Sequence, residues 1–527
     1  MGLLPPRRHW PRLLRRDRVS AVDLPGAKAK RLEVFVLKHL REQSQHAWVA
    51  RLRAFLDESK ARILGWDAGE TIVPVRSIAI PKTRPGNKMK YRVLAPYALR
   101  DAIADSVFAS YLRNVIDGRL DPDCYAFRLA IGPVPITHHD AVANLRRFAS
   151  EGRGSRIWVA ECDIRGFFDS VSHDVTKKAV AELLTEVDGP VDRRLLSFVE
   201  SFFAGYDYLG ARREALGHLA RQKVQEPDIY DPHKALAQAG IPADPRQRIG
   251  IPQGSAFSSV LANVVLTKAD RGLRTAVRAH KRTFYARYVD DIFLASSNRR
   301  VTSRGISAYR RALRALELPD HPPQVIGACG SPGLRAYWDA KSKAPYAWSA
   351  RNQSGVEWIG FLGYQMRRDG TLRVRRSSVK KELAKQRRAI DDIIGIVDKN
   401  RMRSHRDGRM HVIPKLRQIR YAAMMHLISI GIGYPAQPLI WPAPNGICWA
   451  SGFRLLRDER RDLCLLKTLD RGRSAALAAL QARLGSLAAL PGIQESKSKR
   501  SAASFAIRRD GRPLSYYAYF VNNPRMR

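Results

Sequence analysis

The stretch Phe284-Tyr-Ala-Arg-Tyr-Val-Asp-Asp-Ile-Phe-Leu-Ala-Ser296 decides the fold of this chain, because apolar and aromatic residues flank the adjacent acids Asp290 and Asp291. The pattern predicts two strands joined by a tight turn that carries both acids. Two adjacent carboxylates near a core repel each other and lose hydration, so they require a divalent cation. The simpler alternative is a surface hairpin whose two acids are solvated.

A site for two metal ions needs a further carboxylate from another strand, because one hairpin supplies too few oxygen ligands. Residues 157–164, Ile-Trp-Val-Ala-Glu-Cys-Asp-Ile, predict a buried strand with Asp163 near its carboxyl end. Residues 165–170 then form the turn out of this strand. The alternative role for Asp163 is that of a helix N-cap.

The third motif is residues 251–263, Ile-Pro-Gln-Gly-Ser-Ala-Phe-Ser-Ser-Val-Leu-Ala-Asn, which predicts a glycine turn before a helix. Its polar residues Ser255, Ser259 and Asn263 recur at every fourth position. They therefore share one face of the helix, as residues of a site do.

In this order the acidic strand, the Pro-Gln-Gly helix and the Tyr-x-Asp-Asp hairpin resemble the palm motifs of reverse transcriptases. Residues 76–82 and 90–94 resemble two finger motifs of that family, residues 125–128 the segment before the acidic strand, and residues 358–364 the primer-grip hairpin. The resemblance implies an α+β fold of the right-hand polymerase type. Such a fold has fingers, a palm of antiparallel sheet and helices, and a helical thumb, followed here by a mostly helical C-terminal extension.

The resemblance implies that Asp163, Asp290 and Asp291 are the catalytic acids of an RNA-directed DNA polymerase. Together with Ile164 they are expected to bind two Mg²⁺ ions, with Mn²⁺ as an alternative. The ions would activate the primer 3′-hydroxyl and neutralise charge on the leaving pyrophosphate.

The same resemblance identifies further binding residues. Lys82 and Arg92 would bind the β- and γ-phosphates of the nucleotide, since an Arg fork can meet two phosphate oxygens at once. Their alternative is a solvated finger surface. Gln253 and Gly254 would lie against the templating base and the nucleotide, where the glycine permits a close approach of the backbone. The expected primer grip is Phe361, Leu362, Gly363 and Tyr364, and either Lys341 or Lys343 would be the lysine that gives a proton to pyrophosphate.

Phe168 stands where this family places an aromatic ring beneath the sugar of the nucleotide. Such a ring clashes with a 2′-hydroxyl and offers it no hydrogen bond, so deoxynucleotides should be preferred. The neighbouring Phe167 is expected to lie in the core.

The composition favours a polyanionic partner, because 92 Lys and Arg residues outnumber 49 Asp and Glu residues and give a formal net charge of +43. An excess of this size is expected for a protein that follows a phosphate backbone. The expected partners are an RNA template, a DNA product and dNTPs. No feature indicates an oligomeric state.

Five cysteines without a Cys-x-x-Cys pair indicate neither a zinc knuckle nor a disulfide framework. The first residues lack the apolar segment of a secretory signal, and prolines interrupt the most apolar later stretch. The sequence therefore predicts a cytoplasmic protein without a membrane span, and the resemblance implies a bacterial one.

Four domains are predicted, of which the fingers, palm and thumb are those that the resemblance implies. Residues 1–70 form a basic helical extension, 71–365 the fingers and palm, 366–410 the thumb, and 411–527 the C-terminal extension. Residues 174–248 are a helical insertion without an evident role. The thumb carries an apolar stripe and a basic stripe at helical spacing; these are Val379, Leu383, Ile390, Ile393, Ile394 and Val397, and Lys380, Lys381, Lys385, Arg387 and Arg388.

The C-terminal extension is expected to contain a Pro-rich segment with Trp441 and Trp449, a helix over residues 474–490, and a basic linker at 496–504. Its tail, residues 508–519, mixes cations and aromatic rings that could bind nucleic acid, although a tucked-in strand is an equal alternative.

The biological role is inferred by elimination. Neither a His/Cys-rich endonuclease module nor an RNase H pattern follows the thumb. The chain therefore most resembles the bacterial reverse transcriptases that copy a partner non-coding RNA in antiphage defence. Two alternatives are a group II intron-type maturase, which binds RNA, and a protein-primed or template-independent polymerase that uses a hydroxyl such as that of Tyr516 or Tyr517.

Overall fold

The computed structural model of this protein describes part of the 527-residue chain. The described residues are 47–67, 69–82, 89–131, 134–151, 156–242, 244, 246–326, 337–350, 354–406, 411–413, 419, 423, 427, 455–456, 460–488 and 493–495. The chain divides into two compact units, one of residues 1–129 and 157–346 and one of residues 130–156 and 347–527.

The described chain contains both helices and sheets, and strands of the central sheet pair antiparallel, which is consistent with the predicted α+β class. The helices are α1 Ala47–Leu64, α2 Leu99–Ile116, α3 His138–Ser150, α4 Phe167–Ser170, α5 His173–Thr185, α6 Arg193–Ala204, α7 Tyr208–Arg221, α8 Pro232–Gln238, α9 Ala256–Val277, α10 Arg299–Ala315, α11 Arg376–Arg406 and α12 Arg460–Ala488. The strands are β1 Ile78–Lys82, β2 Lys90–Leu94, β3 Ala130–Ile131, β4 Val134–Pro135, β5 Ile157–Cys162, β6 Asp228–Ile229, β7 Thr283–Tyr288, β8 Asp291–Ser296, β9 Lys343–Trp348, β10 Ile359–Phe361, β11 Tyr364–Met366, β12 Leu372–Val374, β13 His411–Ile413 and β14 Ile493–Glu495.

The central sheet of the first unit has the strand order β7-β8-β5-β9. Strand β8 is antiparallel to both β7 and β5, and Cys162 pairs with Ile292. Because successive pairs in an antiparallel ladder shift in opposite directions along the two strands, the residue after Cys162 faces the residue before Ile292. This register brings Asp163 opposite Asp291.

The core of the first unit is built around α9. This helix is buried along most of its length, with Leu261 and Leu266 fully enclosed, and it packs with α2, α5 and α10. The aromatic rings of Phe198 and Phe202 on α6 contact Phe257 near the start of α9. A helix that is apolar on nearly all sides is expected at the centre of a large domain, and here it supports the sheet that carries the acids.

The insertion at residues 174–248 has a structural role that its sequence did not reveal. Its short strand β6 pairs in parallel with β2, which gives a sheet of order β1-β2-β6. Helix α7 packs against β1 and β2, and Tyr208 and Leu219 join the apolar cluster beneath them. The insertion therefore completes the sheet that carries Lys82 and Arg92.

In the second unit, α11 is amphipathic as predicted. Val379, Ile390 and Val397 are buried or nearly so, whereas the basic stripe, Lys380, Lys381, Lys385, Arg387 and Arg388, is exposed. Helix α11 packs against α12 over an apolar cluster that includes Ile390 and Leu480. The thumb predicted over residues 366–410 thus contains the helix Arg376–Arg406 after the short strand β12.

The predicted C-terminal helix was too short: it begins at Arg460 instead of residue 474, and ends at Ala488. Its first half contains many charges and Gly472, which hid the helical spacing of the buried residues Leu466 and Leu469. A Cβ at Gly472 would lie 2.2 Å from Cδ2 of Leu383. The glycine is therefore required for the close approach of the two helices.

Several predicted segments lie outside the described residues. They are most of the N-terminal extension, the Pro-rich segment with Trp441 and Trp449, the linker at 496–504, and the tail with Tyr516 and Tyr517. None of the helices in the described part of the chain has the length and apolar composition needed to cross a membrane.

Candidate active site

Asp163 follows β5 directly, and the surrounding main chain fixes its position. Its N–H donates to Ser342 Oγ at 3.0 Å, and its carbonyl accepts from the N–H of His321 at 3.0 Å. The side chain is almost fully buried, with Oδ2 2.9 Å from Lys341 Nζ and 3.7 Å from His321 Nε2. The carboxylate of Asp163 is therefore held beside the ammonium group of Lys341.

The predicted strand-turn-strand is confirmed. Tyr288 pairs with Asp291, so that Val289 and Asp290 form the turn between β7 and β8. Val289 has a φ of 60°, a left-handed conformation that is rare for a β-branched residue and costs on the order of 1–3 kcal/mol. Its carbonyl accepts a hydrogen bond from Arg287 Nη1 at 3.1 Å.

The pKa values of the two acids at the turn, Asp290 and Asp291, are both raised. Burial, strengthened by the charge of Asp163, raises the pKa of Asp290 to about 6. Asp291 stays open to solvent on one side, but desolvation by the surrounding protein, together with the charges of Asp163 and Asp290, raises its pKa as well. Carboxylates that repel one another in this way are stabilised by a cation.

The donor chemistry fits hard divalent cations. Mg²⁺ prefers oxygen ligands, and three mutually repelling carboxylates supply them. Ile164, which is buried and forms a bridge with Asp320, could contribute only its main-chain carbonyl. Among the described residues, no group of three or more His, Cys, Asp and Glu side chains is already gathered as a metal site, so the side chains would have to converge on the ions.

The predicted phosphate-binding residues lie on the paired strands β1 and β2. In the antiparallel register of these strands, Lys82 lies opposite Lys90, and Arg92 lies opposite Ile80. Lys82 and Arg92 are both exposed, and their charges act on the carboxyl of Asp169 and lower its pKa. The sheet therefore presents two cations towards the segment that follows Asp163.

Gln253 and Gly254 form the turn before α9. Gln253 Nε2 donates to Asp169 Oδ1 at 2.6 Å. Gly254 has a φ of 106°, and a Cβ added there would have no described protein atom within 4 Å. Glycine is favoured at position 254 because it adopts this positive φ without strain, and not because a neighbouring protein atom leaves no room for a side chain.

The two phenylalanines after Asp163 have different environments. Phe167 is 2% exposed and belongs to the core, as predicted, whereas Phe168 is half-buried. The rings lie 5.4 Å apart in an edge-on contact. The carbonyl of Phe168 accepts from the N–H of Ile251 at 2.7 Å, which ties this segment to the Pro-Gln-Gly turn.

The structure separates the two lysines that the sequence left as alternatives. Lys343 is buried, and its Nζ lies 2.6 Å from Glu161 Oε2. Glu161 also accepts from the hydroxyl of Tyr346 at 2.6 Å. Lys343 is thus part of an internal ion pair, whereas Lys341 contacts Asp163 and is half-exposed.

The predicted primer-grip hairpin forms in the second unit. Phe361 and Tyr364 end β10 and begin β11, and both are buried. The Tyr364 hydroxyl shares a hydrogen bond of 3.1 Å with His139 Nδ1. Leu362 and Gly363 form the turn with positive φ. Only these two turn residues of the predicted set are partly open to solvent, and their contact with a primer stays a prediction.

Sequence reasoning missed three buried charged residues that organise the site. Asp169 accepts from Gln253, Arg287 donates to Val289, and Asp105 on α2 caps the start of α9. Asp105 accepts from Ser255 Oγ and from the N–H of Ala256, both at 2.6 Å. The sequence signal for Asp105 was its place as a single acid among the apolar positions of α2.

Burial raises the pKa of Asp169 to about 7, although its bond from Gln253 and the charges of Lys82 and Arg92 lower it. The folded state therefore keeps a proton that the unfolded chain releases above about pH 4. Stability should fall as the pH rises from about 4 to 7, and stay constant above that. The loss amounts to at most about 4 kcal/mol.

The measurement is urea unfolding of the wild type and Asp169→Asn across this pH range. Asn cannot ionise, so its free energy of unfolding should fall less between pH 5 and pH 8 than that of the wild type. Parallel pH curves for the two proteins would contradict the assignment of the titrating group to Asp169.

Comparisons with known proteins were made for the whole chain, and no family model matches it. A segment of 210 residues is 23% identical to the COX1/OXI3 intron 1 protein of Saccharomyces cerevisiae and covers 40% of this chain and 19% of that protein. The chain thus spans about a fifth of the length of this curated relative.

Telomerase structures are among the similar solved structures. Apo telomerase from Candida tropicalis is 10% identical, with 90% of this chain and 78% of that chain covered and a TM-score of 0.35. Its form truncated from the C-terminal domain is 12% identical, with 58% and 57% covered and a TM-score of 0.31. Telomerase from Candida albicans in complex with a TWJ fragment of telomeric RNA is 10% identical, with 84% and 68% covered and a TM-score of 0.33. TM-scores of this size do not define a fold by themselves.

Proposed function

We propose that this chain is an RNA-directed DNA polymerase that adds deoxynucleotides to a primer 3′-end. One observation carries the proposal: the register of β5, β8 and β7 brings Asp163 opposite Asp291 and next to the strained turn with Asp290. A structural hairpin has no need for two acids whose pKa values are raised by burial and by the charge of a third acid, Asp163. Strain and unfavourable charge together are typical of functional sites.

The residues of the site would divide the work of nucleotidyl transfer. Asp163, Asp290 and Asp291 would hold two Mg²⁺ ions, which supply the Lewis-acid chemistry that activates the primer hydroxyl and neutralises the leaving pyrophosphate. Lys82 and Arg92 would bind the triphosphate from the sheet. Phe168 would lie beneath the sugar, and Gln253, oriented by Asp169, would face the nucleotide.

Lys341 is the better candidate for the lysine near the nucleotide, because Lys343 is already paired with Glu161. We expect Lys341→Met to lower the rate of single-nucleotide incorporation by about 100-fold, the usual range for a positioned proton donor. The melting temperature of the Lys341→Met variant should change little, because the Lys341 side chain is half-exposed.

Lys343→Met is the matched control. It removes the cationic partner of Glu161, which is only 15% exposed, so it should reduce stability by about 3–5 kcal/mol while leaving the incorporation rate per folded molecule near that of the wild type. Equal losses of rate in the two variants, measured by rapid quench at saturating nucleotide, would remove the distinction between the two lysines.

The partner that we propose is RNA, copied into DNA from dNTPs. The formal net charge of +43 supports a polyanionic partner, and the exposed basic stripe of α11 offers a surface for phosphates. The biological role that we propose is the copying of a dedicated non-coding RNA in antiphage defence, in a bacterial cytoplasm.

A second candidate function is favoured by the similarity to an intron protein. In it the chain would bind an intron RNA and help it to fold, as maturases do, and polymerisation would be secondary. The two functions make opposite demands on the acids, because RNA binding by a basic surface does not require Asp290 or Asp291.

The deciding experiment is to sequence the RNA and DNA that copurify with the wild type and with the double variant Asp290→Ala/Asp291→Ala. A polymerase should retain its RNA in both proteins, but the complementary DNA should be present only with the wild type. Intron RNA in both samples, without DNA that depends on the acids, would support the maturase function instead.

A further inference from the structure

Arg287 is a fully buried cation directly before the Tyr-x-Asp-Asp turn. Its side chain and that of Asp270 on α9 are both 0% exposed. Burial of a charge is costly unless the charge is paired and hydrogen-bonded. The contacts of Arg287 therefore show which parts of the structure this buried charge holds in place.

Four of its contacts anchor the guanidinium to α9, three to Asp270 and one to Asn263. Nε lies 2.9 and 3.0 Å from the two carboxylate oxygens of Asp270, and Nη2 lies 2.7 Å from Oδ2. The hydroxyl of Tyr285 donates to the same carboxylate at 2.5 Å. Nη1 donates to Asn263 Oδ1 at 3.0 Å. Asp270 and Asn263 are two helical turns apart, so they face Arg287 from one side of α9.

The main chain of Arg287 is fixed as well. Its N–H donates to the carbonyl of Asp123, and its carbonyl accepts from the N–H of Tyr125, both at 2.9 Å. Asn263 Nδ2 donates to the carbonyl of Ala126 at 2.8 Å. The segment before the acidic strand, the Pro-Gln-Gly helix and the hairpin thus meet at Arg287 and Asn263.

The remaining contact leads to the acids. Nη1 also donates to the carbonyl of Val289 at 3.1 Å, and Val289 is the residue with the strained φ of 60°. A turn of this kind normally contains Gly, Asn or Asp. A rigid donor on its carbonyl offsets the strain and fixes the peptide that joins Val289 to Asp290.

We propose that Arg287 is a positioning residue for the Tyr-x-Asp-Asp turn: its guanidinium, held by Asp270 and Asn263, keeps Val289 in the left-handed conformation and thereby sets the direction of the Asp290 carboxylate. The activity that this arrangement serves rests on the proposed function. The conformational role itself does not.

The test is a cycle of Arg287→Lys, Val289→Gly and the double variant. A Lys ammonium can pair with Asp270, but it lacks the fork that reaches Asp270, Asn263 and Val289 together. Gly adopts a positive φ without strain, so Val289→Gly should restore the turn when the clamp is absent. A simple loss of packing at position 287 would not be repaired by this change.

Three readouts are measured on the full chain: hydrogen exchange of residues 284–296, Mn²⁺ affinity by calorimetry, and kcat and KM for single-nucleotide incorporation. Arg287→Lys should increase exchange at the turn, weaken Mn²⁺ binding by about 10-fold, and lower kcat by about 10–100-fold with little change in KM. The double variant should regain most of each loss. Tyr285→Phe is the matched control, because it removes one hydrogen bond from Asp270 without touching Val289; it should lower the melting temperature only.

If Arg287→Lys does not fold, the pair Arg287→Met/Asp270→Met, which removes both buried charges together, takes its place in the cycle. The proposal is overturned if the glycine restores none of the three readouts, or if Tyr285→Phe changes the turn as much as Arg287→Lys does. Loss and recovery of turn protection and Mn²⁺ binding in a protein that incorporates no nucleotide would refute the proposed function and leave the positioning role standing.

Discussion

Asp290→Asn should lower the rate of nucleotide incorporation by about 1000-fold and, in the absence of divalent cations, increase the free energy of unfolding. The loss of rate corresponds to about 4 kcal/mol, the size expected when a metal ion is no longer held where charge develops. The gain in stability follows because burial and the neighbouring Asp163 already disfavour the charged form of Asp290 and raise its pKa. Asn occupies the same space without that charge.

Single-turnover incorporation at saturating nucleotide and Mg²⁺, together with urea unfolding in EDTA, measures both effects. Asp121→Asn is the matched control. Asp121 is paired with Arg274 at 2.7 Å, and this partner together with hydrogen bonds lowers the pKa of Asp121 in spite of its burial. This substitution should therefore reduce stability and preserve the rate. A stability loss at Asp290 as large as that at Asp121 would mean that Asp290 is a structural acid.

Features of the site that are local in the sequence could be predicted from it. The hairpin and its strands were predictable because apolar and aromatic runs that flank a central pair of acids are local features, and Phe167 was correctly placed in the core. The approach of Asp163 to Asp291 depended on the order of several motifs. In the structure, the pairing of Cys162 with Ile292 places Asp163 opposite Asp291.

The buried charges were not predictable in the same way. Asp169, Arg287 and Asp105 look like ordinary polar residues in the sequence. The partners of the two acids are distant along the chain: Gln253 lies 84 positions from Asp169, and Ser255 lies 150 positions from Asp105. The role of the insertion was hidden for another reason. Its strand β6 has only two residues, which is too short for any periodicity to be recognised.

Phe168→Val should increase the relative incorporation of ribonucleotides by about 10–200-fold, the range that a change of a few methylene groups in a pocket can produce. The ring of Phe168 is only half-buried, so part of it remains available to contact a ligand. Its backbone is fixed from two sides, by the bond to Ile251 and by the adjacent core residue Phe167. The ring should therefore keep its position when a larger sugar enters, and exclude it.

Phe167→Val separates selectivity from packing, because the two residues are adjacent and undergo the same change of side chain. Phe167 is fully enclosed, so its truncation should leave a cavity and lower stability by about 1–3 kcal/mol, with the ratio of dNTP to rNTP efficiency unchanged. Phe168→Val should show the reverse, a changed ratio at nearly constant stability, when kcat/KM is measured for a matched dNTP and rNTP. An unchanged ratio in both variants would mean that the sugar does not contact Phe168, and that selectivity must arise from another part of the site.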